Sequence, residues 1–156
     1  MNSPLLFRRA QVRDAKVLSG IAFAAKQHWG YPDEWMEQWR SELRLTSAHI
    51  NAQPVYVAKQ AGKIVGFFGL NLLEDEKYLE HLWLRPAWIG RGLGRALFVE
   101  AVRQARIARV PVLRIKSDPN AELFYLKMGA VRVGLERYQL HGKICREVPL
   151  LAYSIR

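Results

Sequence analysis

Several features that define whole classes of protein are scarce in this sequence. A single cysteine, Cys145, excludes an internal disulfide and a cluster of thiolate metal ligands. No uninterrupted apolar stretch approaches the roughly 18 residues that a membrane-spanning helix needs. The first ten residues reach Arg8 and Arg9 before any apolar segment typical of a signal peptide. We therefore expect a cytoplasmic protein that binds neither metal nor membrane.

The sequence also has few acidic residues for its number of basic ones. It contains 24 Lys and Arg against 14 Asp and Glu, which gives a net charge of +10. The excess is concentrated between Arg85 and Lys116, where eight basic residues accompany one acidic residue, Glu100. The acidic residues cluster elsewhere, at positions 33–42 and 74–80. Because a local excess of positive charge attracts anions, the pattern predicts an anion-binding half and a half that tolerates cations.

Length and periodicity predict a chain of alternating strands and helices. The 156 residues, of which 50% are hydrophobic, are enough for one domain, residues 1–156, with a substantial core. Apolar spacing and turn residues predict the order β-α-α-β-β-β-α-β-α-β-β, a mixed sheet covered by helices. We expect Asp14 and Asp33 to cap the first two helices. Asp118 is expected to cap the last helix, which ends before Gly129.

The most informative stretch runs from Leu82 to Leu97. An apolar strand ends at Pro86, glycines at alternate positions form a loop, and helical spacing begins at Leu93. Glycines let a ligand approach the backbone closely, and a helix N-terminus attracts anions, so a phosphate is the expected ligand. The stretch lacks the Gly-Lys-Ser/Thr of a Walker loop and the G-x-G-x-x-G/A spacing of a dinucleotide-binding fold. A glycine-rich turn without any ligand is the alternative that this pattern alone leaves open.

Two segments together resemble the GNAT superfamily of acetyl-CoA-dependent N-acetyltransferases. Residues 79–86 (LEHLWLRP) and 90–97 (GRGLGRAL) resemble its motif A, and residues 118–130 (DPNAELFYLKMGA) resemble its motif B. The order of elements matches along nearly the whole chain. The resemblance implies an α/β (α+β) fold with a mixed, mostly antiparallel sheet of six to seven strands flanked by about four helices. It also implies transfer of the acetyl group of acetyl-CoA to a primary amine by direct attack in a ternary complex.

The resemblance also implies which residues would bind acetyl-CoA. Backbone amides of the loop are expected to bind the pyrophosphate, and the residues concerned are Ile89, Gly90, Arg91, Gly92, Leu93, Gly94 and Arg95. The end of the preceding strand (Leu82, Trp83 and Leu84) is expected to separate from its neighbour and pair with the pantetheine arm. An N–H near Leu84 would then stabilise the oxyanion of the thioester. Asn120 matches the motif B asparagine and is expected to bind the cofactor arm. Ile89 departs from the family pattern, because it stands where a Gln or Arg is usual.

Two residues are expected to move protons. Tyr125 matches the motif B tyrosine, which implies a general acid near the leaving sulfur. Glu80, on the strand before the loop, is expected to be the base, with His81 or a chain of waters as the alternatives. By strand alternation Glu80 shares a face with Tyr78 and Leu82, whereas His81 points to the opposite face.

The acceptor amine is expected to bind near the junction of the first two helices and the His141-Gly142 turn. His28, Trp29 and Tyr31 are the candidate residues, because aromatic rings bind cations. Small-molecule and peptide amines are both compatible with this site. Two other functions fit part of the evidence: an acetyl-CoA sensor without turnover, and a basic nucleic-acid-binding module, although no recognised reading motif supports the latter. Pairing of two copies through the C-terminal strands is compatible with this fold.

Overall fold

A computed structural model describes residues 3–140 and 144–156, apart from the side chain of Ile144. Within these ranges, seven strands form one sheet in the order β1-β2-β3-β4-β5-β7-β6. The strands are β1 (Leu6–Arg9), β2 (Val55–Gln60), β3 (Lys63–Asn71), β4 (Lys77–Leu84), β5 (Val112–Lys116), β6 (Val131–Leu140) and β7 (Ile144–Ser154). Each strand coincides with a predicted apolar segment, and the predicted sheet of six to seven strands is confirmed.

Five α-helices cover the sheet in the described part of the chain, one more than predicted. They are α1 (Ala15–Gln27), α2 (Asp33–Trp39), α3 (Ser47–Ala52), α4 (Leu93–Ile107) and α5 (Glu122–Lys127). The additional helix is α3, so the order becomes β-α-α-α-β-β-β-α-β-α-β-β. With six residues, of which Ile50 is buried, α3 is too short to show a helical period. Its start is marked only by Thr46, whose hydroxyl accepts a hydrogen bond from the His49 N–H at 3.1 Å.

Of the three predicted helix caps, Asp14 holds the N-cap position of α1 but makes no side-chain cap bond there, Asp33 is wrong and Asp118 is confirmed. The Asp14 carboxylate accepts hydrogen bonds from the Arg8 guanidinium at 2.8 Å and from the Gln11 N–H at 2.7 Å, so it closes a 3-10 turn before α1. Helix α2 begins at Asp33 itself, with Pro32 in the N-cap position. The third prediction is confirmed, because Oδ1 of Asp118 accepts from the Asn120 N–H at 2.8 Å in the 3-10 turn 119–121 that leads into α5.

The sheet opens between its two central strands. All neighbouring strands are antiparallel except β4 and β5, which are parallel and pair only at Lys77 with Leu113 and at Tyr78 with Arg114. Beyond Tyr78 the two strands separate, as the sequence predicted. The remaining residues of β4 therefore face a gap on one side instead of a neighbouring strand.

Hydrophobic clusters of the described residues cover both faces of the sheet. Phe67 of β3 packs with α1 and α2, whereas the adjacent Phe68 packs with α4 and α5. Successive residues of a strand point to opposite faces, so one strand contributes to the clusters on both faces. Burying each such ring stabilises the fold by roughly 1.5–3 kcal/mol. The helices are thereby held against the sheet on both sides, and the gap between β4 and β5 stays open between them.

Candidate active site

The separated ends of β4 and β5 enclose a cavity of about 390 Å³. The loop before α4, the start of α5 and the end of α1 complete its walls. Twelve predicted site residues line it: Trp29, Glu80, Leu82, Trp83, Leu84, Ile89, Gly90, Gly92, Gly94, Arg95, Asn120 and Tyr125. Four others lie outside the lining, namely His28, Tyr31, Arg91 and Leu93. The cavity thus connects both motifs that the sequence suggested.

The glycine loop that lines the cavity has a backbone conformation in which a residue with a side chain would be strained. Gly90 and Gly92 have φ angles of +84° and +79°, in the left-handed region that glycine adopts without steric cost. A Cβ placed on either residue would meet no heavy atom within 4 Å. The space above both residues is therefore open to a ligand. Gly92 is also the N-cap residue of the 15-residue helix α4.

The amides of this loop are free to bind an anion. Within the described residues, no main-chain carbonyl accepts from the N–H groups of residues 90–95. The first amides of a helix have no intrahelical partner and carry the positive end of its dipole. Ile89 differs from the prediction, because its N–H donates to the Pro86 carbonyl at 3.2 Å. The anion site that the backbone offers therefore begins at Gly90.

Two arginines add full positive charge to the same loop. Arg95 is exposed and lines the cavity. Arg91 is exposed, and its guanidinium carbon lies 4.7 Å from the ring centroid of Trp88. Across the described ranges, neither arginine is paired with a carboxylate. Both guanidinium groups are thus available to a phosphate.

The main chain of β4 presents alternate peptide groups to the gap. Just beyond the strand, the Arg85 N–H donates to the Val65 carbonyl on the β3 side at 2.8 Å. Peptide groups of successive residues point to opposite edges of a strand. The peptide groups of Leu82 and Leu84 therefore point away from β3 and into the cavity. They can pair with an extended ligand, as the family resemblance implied for this segment, whereas the peptide groups of Trp83 face Phe67 on β3.

Glu80 lies at a β-bulge that strand alternation could not reveal. Gly69 pairs with His81 and Leu70 pairs with Leu79, so Glu80 has no partner on β3. The extra residue changes the side to which its carboxylate points. Glu80 lies beside His81, not opposite to it: polar atoms of His49, Glu80 and His81 lie within 4.8 Å of one another. The predicted face of Glu80 is therefore wrong, although Glu80 does line the cavity.

The surroundings of His81 make it a poor base. The ring is buried, and its Nδ1 accepts a hydrogen bond from Nε1 of Trp83 at 3.0 Å. Burial, with a smaller effect of His49, lowers the pKa of His81 to about 4. His81 also offers no lone pair to a metal ion, because Trp83 uses Nδ1 and Nε2 keeps the hydrogen. Of the two candidate side chains on β4, Glu80 is the one that lines the cavity.

Tyr125 lines the cavity as a buried phenol. Its exposed fraction is 7%, and its ring packs against Phe98 and Phe124 at centroid distances of 6.0 Å and 5.1 Å. Burial, with a smaller effect of the Asp118 charge, raises the pKa of Tyr125 above its ordinary value. The phenol is therefore protonated at neutral pH and can donate a proton into the cavity.

Asn120 is already engaged within the protein. Its side-chain Nδ2 donates to the Tyr31 hydroxyl at 2.9 Å and to Asp118 at 3.0 Å. Asn120 lines the cavity, so its carbonyl oxygen is the part of the side chain still available to a ligand. A role toward the cofactor arm would consist of accepting an N–H.

The predicted acceptor residues divide into two groups. Trp29 is 42% exposed and lines the cavity, and exposed His28 lies against it at a ring distance of 6.0 Å. Tyr31 instead donates to the Asp118 carboxylate at 2.9 Å. The Tyr31 ring, which was expected to bind an acceptor cation, instead lies beside the protein's own cations: Lys26 Nζ is 5.3 Å and the Arg146 guanidinium carbon 4.6 Å from its centroid.

No sequence pattern points to Lys26 or Arg146, because their partner Asp118 is distant in the chain. The predicted contribution of the His141-Gly142 turn lies outside the described residues. Among the residues described, no helix is both long and apolar enough to cross a membrane.

Comparisons with known proteins identify the family. The model of the acetyltransferase (GNAT) domain family matches residues 22–143. The N-alpha-acetyltransferase RimI of Mycobacterium tuberculosis is 35% identical over 92 residues, which are 54% of this chain and 58% of that protein. The match thus spans less than two thirds of the length of this curated relative.

Solved structures show the same fold. A GCN5-related N-acetyltransferase from Rhodopseudomonas palustris, titled "Aminotransferase, Class-II", has a TM-score of 0.81 at 21% identity, over 99% of this chain and 98% of that one. The PaiA N-acetyltransferase of Thermoplasma acidophilum, solved with coenzyme A, has a TM-score of 0.75 at 17% identity, over 97% and 99% of the two chains. The family match over residues 22–143 confirms the resemblance seen in the two sequence motifs, and this chain belongs to the GNAT acetyltransferase family.

Proposed function

We propose that this chain is an acetyl-CoA-dependent N-acetyltransferase that acetylates a primary amine by direct attack in a ternary complex. The observation that carries the proposal is the gap between β4 and β5. The cavity at this gap is lined both by a glycine loop with unpaired amides and by a protonated tyrosine. That arrangement suits a long ligand with a phosphate at one end and an acyl group at the other.

The loop fits the diphosphate of coenzyme A. Amides from Gly90 to Arg95 would donate to its oxygens, and the positive end of the α4 dipole adds to the attraction. Arg91 and Arg95 would neutralise phosphate charge through charge-assisted hydrogen bonds. Ile89 contributes an apolar wall, since its own amide is bonded to Pro86.

The main chain of β4 would orient the acyl group. Peptide groups of Leu82 and Leu84 face the gap and would pair with the amides of the pantetheine arm. The Leu84 N–H would then stabilise negative charge on the carbonyl oxygen as the amine attacks. One such donor is typically worth about 3 kcal/mol in the transition state. The donor needs no reorganisation, because β3 holds the other edge of the strand.

Two side chains would move the protons. Glu80 would accept a proton from the acceptor ammonium, directly or through a water, so that the nitrogen lone pair can attack the carbonyl carbon. As the new C–N bond forms and the C–S bond breaks, Tyr125 would donate its phenolic proton to the leaving sulfur. The proton that the nitrogen loses as it becomes an amide would restore the phenol through solvent. Acetyl-CoA supplies the activated acyl group for this step.

An α-amino group of a peptide is the acceptor that we favour. The matched relative from Mycobacterium tuberculosis carries the name N-alpha-acetyltransferase. An α-amine has a pKa of about 8, against about 10.4 for a lysine side chain, so far more of it is unprotonated at neutral pH. A single partly exposed carboxylate such as Glu80 is then a sufficient base. Trp29 and His28 would flank the entry of the peptide.

Release of free thiol from acetyl-CoA tests the proposal. The wild type is assayed with a panel of peptide α-amines, lysine side-chain amines and polyamines, beside Tyr125→Phe. We expect turnover with at least one amine, and a fall of about tenfold or more in kcat for Tyr125→Phe with acetyl-CoA affinity retained. Binding of acetyl-CoA without turnover on any amine would refute the enzymatic function and leave a sensor.

A further inference from the structure

Two segments that are distant in sequence, residues 26–31 and the strand that carries Arg146, converge on one buried carboxylate beside the cavity. Asp118 accepts hydrogen bonds from Lys26 Nζ at 2.6 Å, from the Tyr31 hydroxyl at 2.9 Å and from Arg146 Nη2 at 3.2 Å. The Tyr31 hydroxyl in turn accepts from Arg146 at 2.7 Å. The side chains of Asp118, Lys26 and Arg146 are only 7%, 13% and 8% exposed. We call Lys26, Tyr31, Asp118 and Arg146 the Asp118 cluster.

The Asp118 cluster connects the acceptor side of the protein to the helix that carries Tyr125. Lys26 lies on α1, Tyr31 precedes α2 and Arg146 lies on β7. Asp118 caps the 3-10 turn that runs directly into α5. With six residues, α5 is too short to be stable alone, so its position depends on such tertiary contacts.

We propose that Lys26, Tyr31 and Arg146 are positioning residues that act through Asp118 to hold α5, and with it Tyr125, beside the reacting group. The inference rests on the proposed function. In this role Lys26, Tyr31 and Arg146 contact neither substrate. Tyr31 supports the general acid Tyr125 and does not bind the acceptor.

The charges of the cluster favour this role over simple packing. Two cations surround one carboxylate, and the faces of Tyr31 and Trp39 take up part of the excess: the Arg146 guanidinium carbon lies 4.6 Å from the Tyr31 centroid. Burial opposes ionisation of Asp118, but the charge and hydrogen bond of Lys26 hold its pKa below the usual value. The carboxylate therefore stays ionised, and its negative charge helps to keep the Tyr125 phenol protonated.

Double-mutant kinetics separate positioning from general stability. Lys26→Met leaves Arg146 to balance Asp118, and Tyr31→Phe keeps the ring, so both variants retain most of the packing. Lys16→Met removes an exposed lysine from the same helix and serves as the control. We expect Lys26→Met and Tyr31→Phe to lower kcat about tenfold with acetyl-CoA KM nearly unchanged, since they displace a general acid. In a Tyr125→Phe background the same changes should lower kcat by less than about twofold.

Equal losses of kcat in both backgrounds would overturn the inference, because the cluster would then act without Tyr125. A second measurement does not depend on turnover. In protein labelled at the tyrosine ring carbon, the Tyr125 resonance should move in Lys26→Met and Tyr31→Phe but not in Lys16→Met, and its titration should shift to lower pH in Asp118→Asn. If the Tyr125 resonance does not move in these variants, the positioning role is refuted, even if the wild type proves inactive. If the resonance moves but the wild type is inactive, only the proposed function is refuted.

Discussion

Trp83 donates its indole N–H to Nδ1 of His81 at 3.0 Å, and this bond fixes the tautomer of a buried histidine beside the cavity. An indole nitrogen can only donate, so Nδ1 must carry the lone pair and Nε2 the hydrogen. Both residues lie on β4, next to the peptide groups that face the gap. The neutral ring therefore supports the strand without taking part in proton transfer.

The buried His81 should make stability depend on pH. Its pKa is about 4 in the folded protein against 6.5 ordinarily, so the unfolded chain binds the proton first as pH falls. The contribution of neutral His81 to the free energy of unfolding is fully present above pH 6.5. It is lost as pH falls toward 4, and the total loss is about 3 kcal/mol. Urea unfolding at pH 7 and pH 4.5 measures it. His81→Gln, which keeps an acceptor for Trp83, should lose markedly less stability over this interval; an identical loss contradicts the assignment.

Glu80→Gln should discriminate between acceptor amines. If the carboxylate removes the ammonium proton, its loss should lower kcat/KM by about 100-fold for a lysine-like amine. The loss should be smaller for an α-amine, which deprotonates more readily. Both kcat/KM values are measured on one peptide sequence that carries an α-amine and a lysine side-chain amine. One of the two amines is blocked in each assay. An equal, small effect on both amines would assign proton removal to a water chain.

Arg91→Gln and Arg95→Gln should weaken acetyl-CoA binding. Each removes a charge that faces the loop, and we expect about a tenfold rise in Kd at low salt, less at high salt. Arg13→Gln, an exposed arginine before α1, is the control. The decisive comparison uses acetyl-pantetheine, which has no phosphate. Should the two substitutions weaken this ligand equally, the arginines do not bind phosphate.

Two glycines should respond oppositely to alanine. A Cβ on Gly66 would lie 2.5 Å from the Trp83 carbonyl oxygen and push β3 from β4, at a cost of about 1–3 kcal/mol in the free energy of unfolding. Gly20 lies within α1 with nothing within 4 Å of a Cβ, so Gly20→Ala should stabilise by about 0.5–1 kcal/mol. Chemical denaturation gives both values. Equal stability of the two variants would contradict the close approach of β3 and β4.

The sequence predicted the parts of this protein that rest on local pattern. The strand, glycine loop and helix from Leu82 to Leu97 could be identified because glycines and helical spacing lie within a few residues of one another. The separation of β4 from β5 was anticipated through the family resemblance and is confirmed. Helix α3 was missed because six residues hold too little periodicity.

The features that the sequence could not predict depend on contacts between distant residues or on one-residue irregularities. The bulge at Glu80 reverses the expected side of that residue, and alternation cannot reveal where a bulge lies. The aromatic residues near Tyr31 in the sequence favour a role in acceptor binding. Its actual partner, Asp118, is 87 residues away, and Arg146 lies 115 residues from it.

The proposed function depends most on the binding of acetyl-CoA in the gap between β4 and β5. A crystal structure of the protein with bound acetyl-CoA tests this directly. We predict the diphosphate on the amides of residues 90–95, and the thioester oxygen within hydrogen-bond distance of the Leu84 N–H. A ligand bound elsewhere, or a gap left empty at saturating acetyl-CoA, would contradict the account.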